Sequence, residues 1–496
     1  MSDEPQTASA STAAHRPWLA AVLSFIFPGL GQAYAGRWRL ALILAAPALL
    51  LGLAVVGVVT GTIGGVRNSL FASDFLTGVL VANAVVLAWR GVAIAEAGLH
   101  PWKRIVGHDR RTSVMVVTGL LVLAVGMHVW VGSVVLQIND TLGQVFGPST
   151  QGPGSIGGPR ASGEPNDPET PDVGWDGTER VNVLLIGTDA APGREAVLTD
   201  VVLAVSIDPV ERTAVMISVP RDTGYVPLPD ESLYVGGLFP DKVNALALRA
   251  SLEPDTWCPG LAGDAYACGL RTVERSIGLY LGIEIDHYAL VDMAGFAEMI
   301  DALGGLDLCL PGRLVDPQFD GTLSNKTGDG LVLEAGCHLY NGLDALAYAR
   351  SRKGWIEMPD GSIEPQNDFE RAERQQRVLL ALRTELAEAD TLLELPQLLR
   401  AIARTVSTDF PRNRAGDLAS LLPLIAGPDI ERVVLDYPDF VDLPVDPDVN
   451  YLLVPRRDAI RDEMARLFGR SELAGWYLGT TAAGPAEEPA AGAPNP

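Results

Sequence analysis

Four apolar stretches crowd the first third of the chain, at 18–36, 40–60, 70–89 and 113–135, and each is close to the ~20 residues that cross a bilayer as a helix. The chain as a whole carries a formal charge of -24 with 48% hydrophobic residues, so these apolar residues sit in blocks rather than being spread along the chain. The second stretch, LALILAAPALLLGLAVVGVVT, and the fourth, SVMVVTGLLVLAVGMHVWVGSVV, contain no Asp, Glu, Lys or Arg. In the third, Asp74 lies near one end, where its carboxylate reaches the interface. The first is interrupted by Pro28-Gly29-Leu30-Gly31 and either spans or folds back, with spanning the favoured reading. The expectation is a transmembrane region of three to four helices over 17–136, after a short polar, disordered N-terminus over 1–16.

Orientation follows from basic loops, which stay cytoplasmic. Arg90, Lys103, Arg104, Arg110 and Arg111 mark the loop before the fourth stretch, and Arg37 and Arg39 mark the first loop. The fourth stretch then runs outward. The expected location is the cell membrane, multi-pass, with the C-terminal domain extracellular.

Residues 137–179 read as a flexible linker, because a Gly/Pro/Ser-rich run without periodicity buries too little apolar surface to fold. The tail over 478–496 has the same character. Between them, 180–477 alternates β-branched runs (VNVLLIG, VVLAVSI, TAVMISV) with amphipathic stretches at 293–303 and 371–386. That alternation predicts an α/β fold, a mixed central β-sheet flanked by helices. All four cysteines, Cys258, Cys268, Cys309 and Cys337, fall in this outer domain. An even count outside the cell predicts disulfides, and proximity favours Cys258–Cys268 and Cys309–Cys337 among three possible pairings.

The acidic balance excludes nucleic acid as a partner, since a phosphate backbone needs a basic footprint. There is no GxSxG elbow, no phosphate-loop motif and no HExxH helix. His287 and His338 read as structural. What remains is a set of carboxylates and arginines at element ends. The first strand ends in Gly187-Thr188-Asp189, the second opens with Thr199-Asp200, and the third runs into Pro220-Arg221-Asp222. Entering one sheet, these bring Asp189, Asp200, Arg221 and Asp222 to one rim. Two aspartates facing a polyanion suit Mg²⁺, though each also reads as a capping residue. Further on, Arg350 and Arg352 share a face if that segment is extended. On a helix, Arg371, Arg374 and Gln375 share another. Guanidinium forks in such an array suit a pyrophosphate.

Seven blocks occur in order: IGTD, LTDVVLAVSIDP, ISVPRDT, KVNAL, IEIDHYALVDMAGFAEMIDALGGLDLCLP, LDALAYARSRK and DFERAERQQR. Together they resemble the LytR–CpsA–Psr family of cell-wall glycopolymer ligases, over about 181–383. The resemblance implies an α/β domain that holds a polyprenyl chain in its interior with the pyrophosphate at the mouth. Asp189 and Asp200 become the Mg²⁺-associated carboxylates. Arg221, Arg350, Arg352 and Arg371 grip the pyrophosphate, with Arg374 and Gln375 supporting. Asp222 and Lys242 also match family blocks, and Asn244 reads as a structural match.

The implied activity is Mg²⁺-dependent phosphoryl transfer. A glycopolymer moves from a polyprenyl-pyrophosphate-linked glycan donor to a peptidoglycan hydroxyl, with Arg221, Asp222, Arg350 and Arg352 catalytic. Two alternatives stay open: a hydrolase of the same lipid pyrophosphate, and a non-catalytic surface lipid-binding regulator. The chain departs from the family in three places. The run Val197-Leu198-Thr199-Asp200-Val201 lacks the usual arginine and threonine around the second aspartate; Arg194, in the preceding loop, is the candidate for the missing charge. Residues 354–366 are an insertion, and several membrane segments replace the usual single helix. The stretch SFIFPGLGQAYAGR is similar to a small membrane motif of unassigned role.

Overall fold

A computed structural model describes residues 16–59, 73–100, 108–146, 178–188, 198–259, 265–319, 330–388, 395–412, 415, 417, 430–444, 451–470 and 473. The chain falls into two units, Met1–Asp140 and Thr141–Pro496. The expected disordered N-terminus and C-terminal tail, and most of the expected linker, lie outside the described residues.

In the first unit, the residue before a proline is pushed out of the helical region, and Phe27 is extended (φ -146°, ψ 123°). The first apolar stretch is therefore two short helices, α1 (Pro17–Ile26) and α2 (Leu30–Tyr34), joined by a turn in which Gly29 takes φ +103°. A Cβ at Gly29 would meet Ala41 O at 2.4 Å. Ten residues of α1 rise only about 15 Å, so the favoured spanning reading of this stretch is corrected. The later stretches form α3 (Trp38–Val59), α4 (Ser73–Leu99) and α5 (His108–Val145). Among the described residues two helices, Asp74–Leu99 and Arg110–Val145, are long and apolar enough to cross a membrane. Since α5 runs on to Val145, the linker expected from 137 starts later than the composition indicated. Gln32 is fully buried inside this unit and is satisfied there. It accepts from Ser24 Oγ (2.9 Å) and donates to Ala93 O (2.9 Å) and Glu96 (3.0 Å), while Glu96 also pairs with Arg37.

The second unit is built on strands that are apolar on both faces. In β1 (Val181–Thr188), Leu184 and Ile186 enter one core cluster while Val181, Val183 and Leu185 enter another, as the two-residue period of a strand requires. It joins β2 (Thr199–Asp208), β3 (Thr213–Ser218), β4 (His287–Asp292), β11 (Val406–Thr408) and β12 (Ile430–Val434) in a mixed sheet of order β11-β4-β1-β2-β3-β12. The β1–β2 and β2–β3 pairs are antiparallel, and the β1–β4 and β3–β12 pairs are parallel. One face carries α6 (Leu246–Leu252) and α7 (Ala265–Leu281), with Leu246, Leu270, Val273 and Ile277 packed into the core, and also α12 (Arg457–Phe468). The other face receives Leu379 and Leu380 of α10 (Asp368–Glu388).

A third cluster joins α8 (Met293–Ala302), α9 (Gly342–Arg350) and α11 (Leu395–Thr405) to two small sheets. One pairs β5 (Leu306–Leu310) with β8 (Gly336–Tyr340). The other has the order β10-β9-β6-β7 and comprises β6 (Arg313–Asp316), β7 (Leu331–Leu333), β9 (Trp355–Glu357) and β10 (Ile363–Pro365). Both favoured disulfides occur: Cys258–Cys268, and Cys309–Cys337 across a register pair of β5 and β8.

On α7, burial and then the neighbouring Asp409 push the carboxyl of Glu274 up to about 8. A carboxyl raised on folding adds stability that is complete below its unfolded value near 4.5 and is lost as pH rises through about 8. The domain is therefore expected to resist urea better at pH 5 than at pH 8.5, and Glu274→Gln to flatten that part of the profile. An unchanged slope in the glutamine variant would assign the dependence to other groups.

Candidate active site

Antiparallel pairing of β1 with β2 sets Thr188 opposite Thr199, so the end of β1 and the start of β2 meet at one rim of the sheet. The chain leaving β3 climbs to the same rim, with Val219 N–H bonded to Val202 O (2.9 Å). A turn follows, closed by Thr223 N–H on Pro220 O (3.0 Å), and it carries Arg221 and Asp222. Asn244 braces this turn through its backbone: its N–H donates to Arg221 O (3.2 Å) and its carbonyl accepts from Thr199 Oγ1 (3.2 Å). Asp189, the residue after Thr188, lies outside the described residues, as does Arg194.

Arg221 is the centre of the cluster. Its Nη1 bonds Asp200 Oδ1 at 2.8 Å, and its Nε stands 3.3 Å from Asp368 Oδ1. Burial opposes its charge, but Asp200 and Asp368 outweigh burial and hold its pKa above the ordinary value. Asp368, at the start of α10, also faces Arg371 at 2.9 Å and Arg352 at 3.9 Å. One carboxylate therefore gathers three guanidinium groups. Sequence reasoning gave Asp368 no role, although its i,i+3 spacing to Arg371 was the available signal. Arg371 is 5% exposed and donates from Nη2 to Asp200 O (3.2 Å). Burial lowers its pKa, with Asp368 partly compensating. Nearby, buried Asp222 pairs with Lys242 at 2.8 Å, and Lys242 lies over the Tyr451 ring.

Arg350 and Arg352 are not alternate residues of an extended segment. Arg350 ends α9, Ser351 is the cap, and Arg352 and Lys353 follow in a turn. Arg350 stands over the Phe319 ring. The turn is held by Asp316, which is 2% exposed. Its Oδ2 accepts from Ser351 Oγ (2.8 Å) and from the backbone N–H of Arg352 and Lys353 (3.2 Å each), while Oδ1 accepts from Gln318 N–H (3.1 Å). Nothing in the spacing of Asp316 pointed to this. Asp316→Ala is expected to leave four donors unpaired and weaken pyrophosphate binding about tenfold, roughly the 1–3 kcal/mol of such a loss. Calorimetric titration with inorganic pyrophosphate checks it.

Arg374, given a supporting place on the pyrophosphate, is turned inward instead. It is 1% exposed, donates from Nε to Tyr348 O (3.0 Å), and bonds Ser351 O and Gln366 Oε1. Burial pushes its pKa down to about 10. Arg374 is thus a positioning residue for the Arg350–Arg352 turn. Gln375 reaches Ala349 O (3.4 Å), and Gln376, unremarked in the sequence, bonds Ser218 Oγ (2.9 Å).

In a protein of charge -24, this cluster sets four cations (Arg221, Arg352, Arg371, Lys242) against three carboxylates (Asp200, Asp222, Asp368). The buried Nε of Arg371 makes no hydrogen bond within the protein, while that of Arg221 meets Asp368 Oδ1 as an ion pair at 3.3 Å. A local excess of positive charge with an unused donor is the signature of an anion site. No group of three or more His, Cys, Asp or Glu able to hold a metal occurs among the described residues. Magnesium shared with phosphate oxygens needs only one or two carboxylates; of the two expected here, Asp200 has Oδ1 engaged by Arg221 and Asp189 lies outside the described residues.

The sequence pattern of the LytR_cpsA_psr family matches residues 159–446, more than half of the chain. The chain belongs to this family. It is 28% identical over 233 residues to the regulatory protein MsrR of Staphylococcus aureus (strain Mu50), covering 47% of this chain and 57% of that protein. It is also 28% identical over 245 residues to the polyisoprenyl-teichoic acid–peptidoglycan teichoic acid transferase TagU of Halalkalibacterium halodurans, covering 48% of this chain and 64% of that one. The chain thus matches less than two thirds of either relative's length. Among solved structures, B. subtilis TagV is 23% identical with a TM-score of 0.41, covering 58% of this chain and 96% of that one.

Proposed function

We propose that this family member is a membrane-anchored phosphotransferase that moves a glycopolymer from a polyprenyl-pyrophosphate carrier to a peptidoglycan hydroxyl. The observation that carries it is the cation cluster at the rim of the sheet, four cations against three carboxylates with the Arg371 Nε unspent. The name of the TagU relative is in keeping with this reading. In this reading α4 and α5, the two helices of membrane-spanning length, anchor the chain, and the basic residues before α5 favour an orientation with the second unit outside the cell.

In the proposed reaction the acceptor hydroxyl oxygen attacks the phosphorus next to the sugar. A new P–O bond forms, the anhydride P–O bond breaks, and polyprenyl phosphate leaves. Arg221, Arg352 and Arg371 bind the two phosphates and stabilise charge on the departing one, which is where such transfers gain most of their rate. Asp222, paired with Lys242, accepts the hydroxyl proton. Mg²⁺ on Asp189 and Asp200, when bound, supplies further charge neutralisation on phosphoryl oxygens.

The test incubates the protein with Mg²⁺ and a short polyprenyl-pyrophosphate sugar, with and without peptidoglycan fragments, and again with EDTA. Release of lipid phosphate with a covalent glycan conjugate supports the transferase. Release into water alone in every case supports a hydrolase. Full activity in EDTA removes magnesium from the scheme.

A further inference from the structure

The insertion at 354–366 is a closed module. Gln366 N–H bonds Gly354 O (2.9 Å) at its base, and β9 and β10 pair above. Gly354 is required there, because a Cβ would stand 1.9 Å from Val315 O. The module leaves the chain after Arg352 and returns before Asp368, two residues whose side chains lie 3.9 Å apart. The hairpin therefore rises from the cation cluster itself, and Trp355 and Pro365 form its first pair.

Strand alternation sorts the β10-β9-β6-β7 sheet into two faces. Leu314, Leu331, Leu333 and Ile356 enter the core. On the opposite face, register aligns Pro365, Trp355, Val315 and Val332 in one row, and Ile363, Glu357 and Arg313 in the next. The first row is apolar, with Pro365 exposed and Val332 40% exposed. The second holds the exposed Ile363 beside Glu357 and Arg313, with Glu334 beyond them, and these charged groups fix the indole. Trp355 Nε1–H donates to Glu357 Oε1 (3.0 Å), Arg313 Nη1 donates to Glu357 Oε2 (3.1 Å), and Arg313 Nε donates to Glu334 (3.2 Å).

We propose that this face is the docking platform for the acceptor glycan, a linear chain of N-acetylhexosamine rings. The proposal rests on the phosphotransfer reading above. A sugar ring has an apolar C–H face and a polar hydroxyl edge, which match an aromatic, apolar row with a hydrogen-bonding row beside it. A lipid chain has no use for the second row. Its one arginine and two glutamates also disfavour the anionic donor and leave an uncharged glycan as the complementary ligand. Trp355 follows Arg352 by three residues and Pro365 precedes Asp368 by three, so this end of the row adjoins the cation cluster along the chain.

The test titrates chitotetraose into the full chain in lipid nanodiscs and compares the wild type with Trp355→Ala, Trp355→Phe and Arg352→Ala. Loss of the stacked ring is expected to weaken glycan binding about tenfold or more in Trp355→Ala. Trp355→Phe, which keeps a ring and guards against misfolding of the alanine variant, is expected to fall between it and the wild type. Arg352→Ala is expected to bind chitotetraose as the wild type does while losing inorganic pyrophosphate. That separates failure of the platform from failure of the phosphotransfer site. No binding by the wild type, or equal binding by the wild type and both Trp355 variants, overturns the proposal.

Discussion

Arg221→Lys is expected to lower kcat/KM for glycopolymer transfer about 10²–10³-fold, the usual cost of one transition-state donor, although the charge is kept. The reason is geometric. Arg221 engages Asp200 through Nη1 and approaches Asp368 through Nε, so its planar fork ties the two carboxylates together and presents a fixed edge to the anion. A lysine ammonium cannot hold both at once. The two carboxylates then face each other with less compensation, and Arg371, which donates to the backbone of Asp200 and pairs with Asp368, loses its setting. The assay is donor turnover with peptidoglycan fragments, alongside a melting curve to show that the fold survives. Wild-type turnover in the lysine variant would mean that point charge alone suffices and that the fork is incidental.

The rim of the sheet was legible because three strands announce themselves by β-branched runs, and antiparallel pairing then forces Asp200 and Arg221 together. The disulfides were legible for a simpler reason: the four cysteines are an even count and pair with their nearest neighbours along the chain. The direction of long side chains was not legible. Arg371 and Arg374 share a helical face by spacing, yet Arg371 points to the carboxylates and Arg374 to the carbonyls of Tyr348 and Ser351. Periodicity assigns a face and leaves the end of a flexible side chain undetermined. Asp316 was hidden for the opposite reason. Its partners are the Ser351 hydroxyl and the backbone N–H groups of Arg352 and Lys353, 35 to 37 residues away, and any residue type supplies those N–H groups. The first apolar stretch shows local chemistry overriding composition, since Pro28 and the left-handed Gly29 end a helix that hydrophobicity alone would have extended.

The inward turn of Arg374 gives the second large expectation. Arg374→Met preserves most of the volume but leaves the carbonyls of Tyr348 and Ser351 and the amide oxygen of Gln366 without their donor. Each unpaired buried acceptor costs about 1 kcal/mol or more, so the gross loss is about 3 kcal/mol. Part returns, because a guanidinium whose pKa burial has pushed down to about 10 was itself costly to bury. The net destabilisation is about 2 kcal/mol, a fall in Tm of roughly 5 °C for a domain of this size. Activity is expected to fall as well, and by a separable route. The freed Ser351 carbonyl lets the Arg350–Arg352 turn move, so KM for the lipid donor should rise more than kcat falls. Calorimetry and donor-saturation kinetics read the two effects independently. A variant that melts lower with unchanged KM would confine Arg374 to stability, and the turn would then be positioned by Asp316 alone.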